Sequence, residues 1–97
     1  SITEKRYLAY SYFRENDFIK SSNFFKQIIN AEKDSEEDQN TYLKILVLQN
    51  KDLEAERYAT SLIKYNPSKK KYYNDLLQNL VDKRDMAKGL YQPIIVR

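Results

Sequence analysis

A shift of 34 residues lays this chain upon itself: Leu8, Tyr42 and Leu76 share one column, Ala9, Leu43 and Leu77 the next, and Tyr12, Leu46 and Leu80 another. Phe13, Val47 and Val81 continue the apolar register, while Ser21, Ala55 and Gly89 make a column of small residues. One supersecondary unit per period is the mark of a solenoid, whose units bury a core only by stacking on one another. The apolar spacing inside each period is helical and changes face after about fifteen residues, as two antiparallel helices joined by a tight turn require. The period therefore predicts an all-α solenoid of antiparallel helix pairs, with repeats at 2–35 and 36–69 and a truncated one at 70–97.

The punctuation of the chain sets the element boundaries. Helices are predicted at about 3–15, 18–32, 36–49, 52–65, 69–83 and 86–92. Turns fall at Asn16-Asp17, Asn50-Lys51-Asp52 and Arg84-Asp85; asparagine tolerates the left-handed conformation that ends a helix and so replaces glycine at two of them. Ser35 with Asp38 three residues on has the spacing of a capping box, and Glu36, Glu37 and Asp38 suit the positive end of a helix dipole. Asn66-Pro67-Ser68 is expected to stop one helix and start the next, with Ser68 accepting an orphan backbone hydrogen bond.

These columns resemble the tetratricopeptide repeat family over nearly the whole chain. Leu8, Ala9, Tyr12, Phe18, Ser21, Phe25 and Ile28 match its spacing in the first unit. Tyr42, Leu43, Leu46, Ala55, Ala59, Leu62 and Pro67 do so in the second, and Tyr73, Leu76, Leu77, Leu80, Met86 and Gly89 in the third. Leu43 and Leu77 are bulky where the family prefers a small residue, Asp52 stands in an aromatic column, and Pro93 interrupts the last helix. Sel1-like and other helical-hairpin arrays are cousins by the same logic.

The resemblance implies a right-handed solenoid of about two and a half repeats that serves as a protein-interaction scaffold. The first helix of each unit would line a concave groove with Arg6, Tyr7, Tyr10 and Arg14, then Asn40, Thr41 and Lys44, then Lys71, Asn74, Asp75 and Gln78. Tyrosines offer flat area at low entropic cost, while Arg and Lys grip carboxylates and Asn or Gln satisfies a peptide backbone. The implied partner is a protein or peptide of acidic character. Equally open is that Tyr7 and Tyr10 pack on a further repeat. One branch of the family clamps chaperone C-termini with Lys, Asn and Arg. Arg6 and Lys71 fall at basic clamp positions, but Tyr10 and Thr41 replace the two asparagines and Asp75 puts an acid where a base belongs. That ligand is not expected here.

Chemistry has little to work with. The chain has no histidine and no cysteine, which removes the usual neutral-pH acid or base and the thiolate nucleophile, so no enzyme activity and no cofactor is expected. Glu32, Asp34, Glu36, Glu37 and Asp38 lack the loop order of a calcium site, which points to a solvated loop and helix cap and to no metal. The small column reads as close helix packing, and the aromatics Tyr12, Phe18, Phe24, Phe25 and Tyr58 as core filling.

Seventeen basic residues against 14 acidic give a net charge of +3, too mild a field to argue for nucleic acid or for a base-reading helical repeat. The local exception is Lys69-Lys70-Lys71, which opposes the dipole of a helix start. The longest apolar run, Ile45 to Leu48 with Leu43 nearby, is far short of a membrane span. No signal peptide is legible, and zero cysteines leave cytoplasm and periplasm both compatible. Ser1 in place of a starting Met, and a last repeat that stops at Arg97, suggest a piece of a longer chain. Leu90, Tyr91, Ile94, Ile95 and Val96 form an apolar C-terminal edge, and the alternative function is self-assembly into a homo-oligomer through it.

Overall fold

Three helices end on a residue with positive φ, and these three residues set the frame of the molecule. In the computed structural model, which describes residues 1–89, they are Asn16 at 61°, Asn50 at 62° and Gly89 at 71°. Asn16 follows α1 (Ile2–Arg14), with its amide on the Phe13 carbonyl at 3.0 Å and the Asp17 amide on that of Tyr12 at 2.9 Å. Asn50 follows α3 (Glu36–Leu48) in the same way, its amide on Val47 and that of Lys51 on Leu46, both at 2.9 Å. This paired closure satisfies carbonyls that a helix end leaves orphaned, and asparagine enters the left-handed region more readily than other side-chain-bearing residues. Asp17 then accepts from the Lys20 amide at 3.2 Å and starts α2 (Phe18–Ala31), so two adjacent residues end one helix and open the next.

The chain divides into two compact units, Ser1–Lys51 and Asp52–Arg97. In the first, contacts between α1 and α2 run in opposite chain directions. Tyr10 meets Phe25 edge-on at 5.0 Å between ring centroids, Tyr12 stacks on Phe24 at 6.0 Å, and Phe13 lies 6.0 Å from Phe18. The helices come close where Ser21 Oγ donates to the Ala9 carbonyl at 2.7 Å, and both residues are fully buried. A larger side chain at either position would push the helices apart. Phe25, Ile28, Leu43 and Ile45 are also fully buried.

In the second unit, α4 (Asp52–Tyr65) is followed by a 3-10 turn (Pro67–Lys69) and α5 (Lys70–Ala87). Arg84, near the end of α5, reaches Asp52, the first residue of α4, through NH1 on Oδ1 and through NH2 on Oδ2 at 2.9 Å. Ala55, Ala59, Leu62 and Tyr73 are buried. Among the described residues the structure is all-helical, without strands, and no helix is long and apolar enough to cross a membrane.

Four expectations are corrected. Arg84-Asp85 is no turn: α5 runs through it to Ala87, because neither residue breaks a helix and Arg84 is held by Asp52 and Asp85. Met86 and Ala87 consequently belong to α5 and not to a sixth helix. Gly89 is no close-packing position. It ends α5 in the left-handed region, and a Cβ there would meet nothing within 4 Å. Ser68 does not cap α5; its hydroxyl donates to Asn66 Oδ1 at 2.7 Å inside the 3-10 turn, and Lys69 stands at the N-cap without a side-chain cap hydrogen bond. Residues 90–92 of the expected helix at 86–92, Pro93 and the apolar edge Leu90, Tyr91, Ile94, Ile95 and Val96 lie outside the described residues.

Candidate functional site

The face expected to bind a partner begins on α1 and α3, and its centre is a carboxylate. Asp38, on the first turn of α3, is 1% exposed. Arg6 Nε donates to Asp38 Oδ2 at 3.1 Å and Arg6 NH2 to the same oxygen at 2.9 Å, while the Tyr10 hydroxyl donates to Oδ1 at 2.9 Å. Arg6 NH2 also reaches Glu32 at 2.6 Å, beyond the end of α2. One guanidinium thus ties three consecutive helical segments of the first unit together. A guanidinium fork suits this arrangement because it can serve two carboxylates at once.

The electrostatics follow from this geometry. Burial resists ionisation of Asp38, but hydrogen bonds from Arg6, Ser35 and Tyr10 outweigh it and hold the carboxyl below its ordinary range. The bonds that Arg6 donates to Asp38 and Glu32 raise its value further above an already high one. Burial, opposed by the hydrogen bond with Thr41 and supported by the one to Asp38, leaves the Tyr10 phenol pushed up to about 12. All three groups keep one protonation state through the neutral range.

The capping box and the solvated acidic loop are corrected together. Ser35 is the N-cap of α3 but makes no side-chain cap hydrogen bond. Asp38 faces inward to Arg6 and Tyr10, and Glu32 joins it on Arg6, while Glu36 and Glu37 stay exposed. Among the described residues no group of three or more acidic side chains is arranged to hold a metal ion.

The expected groove residues separate into three kinds. Arg6 and Tyr10 are taken up by Asp38, and half-buried Asn40 and Thr41 lie beside them on α3, with Thr41 reaching the Tyr10 hydroxyl. Tyr7, Arg14 and Lys44 face solvent. Tyr7 is 70% exposed, Arg14 donates to Ser11 of its own helix at 3.4 Å, and the Lys44 ammonium lies 5.7 Å from the Phe13 ring centroid. Tyr7 and Arg14, seven residues apart, share one stripe of α1. On α5 in the second unit, Lys71, Asn74 and Gln78 are exposed; Lys71 pairs with Asp75 at 2.6 Å and Gln78 with Asp82 at 2.9 Å.

A shallow depression at the α1–α2 turn is lined by Glu15, Asp17, Phe18, Ile19, Gln49 and Lys51. It mixes both signs of charge and offers no activated nucleophile. The residue that sequence reasoning misplaced is Asp38. A faint signal existed, since opposite charges recur 32 residues apart at Arg6 and Asp38 and again at Asp52 and Arg84. No family model, no curated protein and no solved structure matches this chain.

Proposed function

We propose that this chain is a non-catalytic protein-interaction module of the tetratricopeptide-repeat kind, a right-handed solenoid of antiparallel helix pairs. In this reading α1 and α3 present Tyr7, Arg14 and Lys44 to a peptide or protein partner. The observation that carries it is the exposed tyrosine and two cations on helices held in register by the buried Arg6–Asp38 pair. A surface fixed before binding loses little conformational freedom on association. Tyr7 supplies rigid area, and the two cations favour a partner that bears carboxylates.

The internal bonds change which residues test the idea. Removing Tyr10 would break its contact with Asp38 and its packing on Phe25, so lost binding would report lost structure. Tyr7→Ala with Lys44→Glu alters exposed groups only. Partners that co-purify with the wild type should disappear from this double variant, whose circular dichroism is unchanged, and should remain with the Lys26→Glu control on the exposed side of α2. An unchanged set of partners would overturn the assignment of the binding face.

A further inference from the structure

The second unit carries a charge segregation that the reading above does not use. Between Glu56 and Asp75 the only charged residues are Arg57, Lys64, Lys69, Lys70 and Lys71. This stretch covers most of α4, the 3-10 turn and the start of α5. Lys71 is engaged by Asp75, but among the described residues no carboxylate pairs with Arg57, Lys64 or Lys70. Arg57 and Lys64 are exposed and seven residues apart, on one stripe of α4 about 10 Å long. Two tyrosines border the cations. Tyr65 is 71% exposed and Tyr72 is 42% exposed, and the Lys69 ammonium sits 5.3 Å from the Tyr72 ring centroid.

We propose that this α4–α5 junction is a docking site for an acidic polypeptide segment, held by Arg57, Lys64, Lys69 and Lys70 and bordered by Tyr65 and Tyr72. Charge complementarity carries the assignment: Arg57, Lys64 and Lys70, which no carboxylate pairs with among the described residues, raise the local potential, and the lysines at the start of α5 add to the positive end of its dipole. An incoming carboxylate relieves both. The extent of the patch selects a short peptide over nucleic acid. Glu54 and Glu56 bound it on α4, and Asp75 and Asp82 bound it on α5, so a phosphate backbone following either helix would soon meet carboxylates. An extended peptide rises about 3.3 Å per residue, so three or four residues cover the α4 stripe. This surface shares no residue with the α1 and α3 face, and its proposal does not rest on that reading.

The test is fluorescence anisotropy with a labelled glutamate-rich dodecapeptide and a labelled single-stranded oligothymidylate, each titrated with the full chain at low and high salt. The wild type should bind the peptide more tightly than the oligonucleotide, and salt should weaken that binding. Lys64→Glu with Lys70→Glu should lower peptide affinity about tenfold, since each reversal removes an exposed attraction and adds a repulsion. Lys20→Glu with Lys26→Glu changes net charge equally in the first unit and should leave affinity unchanged. Lys26, Lys64 and Lys70 are exposed and no carboxylate pairs with them among the described residues, while exposed Lys20 makes a 3.9 Å contact with Asp17, so folding should be preserved, and circular dichroism checks it. Equal loss in both double variants would reduce the effect to net charge and overturn the site. Tighter binding of the oligonucleotide, or no peptide binding by the wild type, would overturn it as well.

Discussion

Arg6→Ala should destabilise the protein more than Asp38→Ala, although both remove the same ion pair. The asymmetry lies in what each variant strands. Without Arg6, a carboxylate with 2% side-chain exposure keeps only neutral donors such as Tyr10. Breaking a buried pair from this side costs about 3–5 kcal/mol, and the surviving donors place the expectation near the lower end, at about 3 kcal/mol. Without Asp38, Arg6 keeps Glu32 and a side chain 32% exposed to water. The loss is then mainly of charge-assisted hydrogen bonds, at about 1.5 kcal/mol. With a urea slope of about 1–1.5 kcal/mol/M for a chain this small, the two midpoints should differ by about 1 M. The pH dependence supplies a second check. In the wild type the folded-state value of Asp38 lies below its ordinary 3.8, so its contribution is complete above that pH and is lost as pH falls through the folded value. In Arg6→Ala burial dominates and raises the folded value above the unfolded one. Protonation then relieves the stranded charge, and the deficit relative to wild type narrows on acidification. Urea unfolding at pH 7 and near pH 3.5 measures both effects. Equal costs for the two variants at neutral pH, or a deficit that stays constant on acidification, would refute the reasoning.

Ser21→Ala should cost about 1 kcal/mol through the lost bond to the Ala9 carbonyl, whereas Ser21→Leu should cost about 3 kcal/mol because the α1–α2 contact has no room for it; thermal unfolding that ranks the alanine variant lower would contradict this packing. Gly89→Ala should cost about 1 kcal/mol for its positive φ alone, and Gly89→Asn only a few tenths, since no neighbour lies where a Cβ would stand. Equal costs for the two, measured by the same unfolding, would return Gly89 to a packing role.

What the sequence made legible is what local chemistry and short-range periodicity decide. Asn16 and Asn50 end α1 and α3 as their turn preference predicts, and Pro67 separates α4 from α5. Ser21 and Ala55 are fully buried, as the small column required. The misreadings share a cause. Gly89 fits the column by size but is needed for its backbone freedom, and Arg84-Asp85 looked like a turn because charged residues interrupt the apolar pattern. Asp38 has the spacing of a capping residue, and Arg6 and Tyr10 claim it from another helix. A tertiary partner at 32 residues' distance leaves no trace in a 3.6-residue period. At the candidate site, position on the helix was readable, but which side chains remain available to a ligand was not.

That distinction decides which cations can serve a partner. Arg6 and Lys71 both occupy positions that the family resemblance assigns to ligand contact, and both already hold a carboxylate of their own chain. The pairs are not equivalent. Lys71 and Asp75 lie on one helix four residues apart, with side chains 88% and 66% exposed, so water and salt compete with the pair and a ligand carboxylate can replace Asp75 with little loss. Arg6 can leave Asp38 only by abandoning a carboxylate that water does not reach. A ligand would have to recover the cost of stranding that charge before gaining affinity of its own. In the proposed readings, binding would therefore fall to cations without a buried obligation, Arg14 and Lys44 in the first unit and Lys64, Lys70 and Lys71 in the second. Arg6 would contribute only by holding α1 and α3 in register through Asp38.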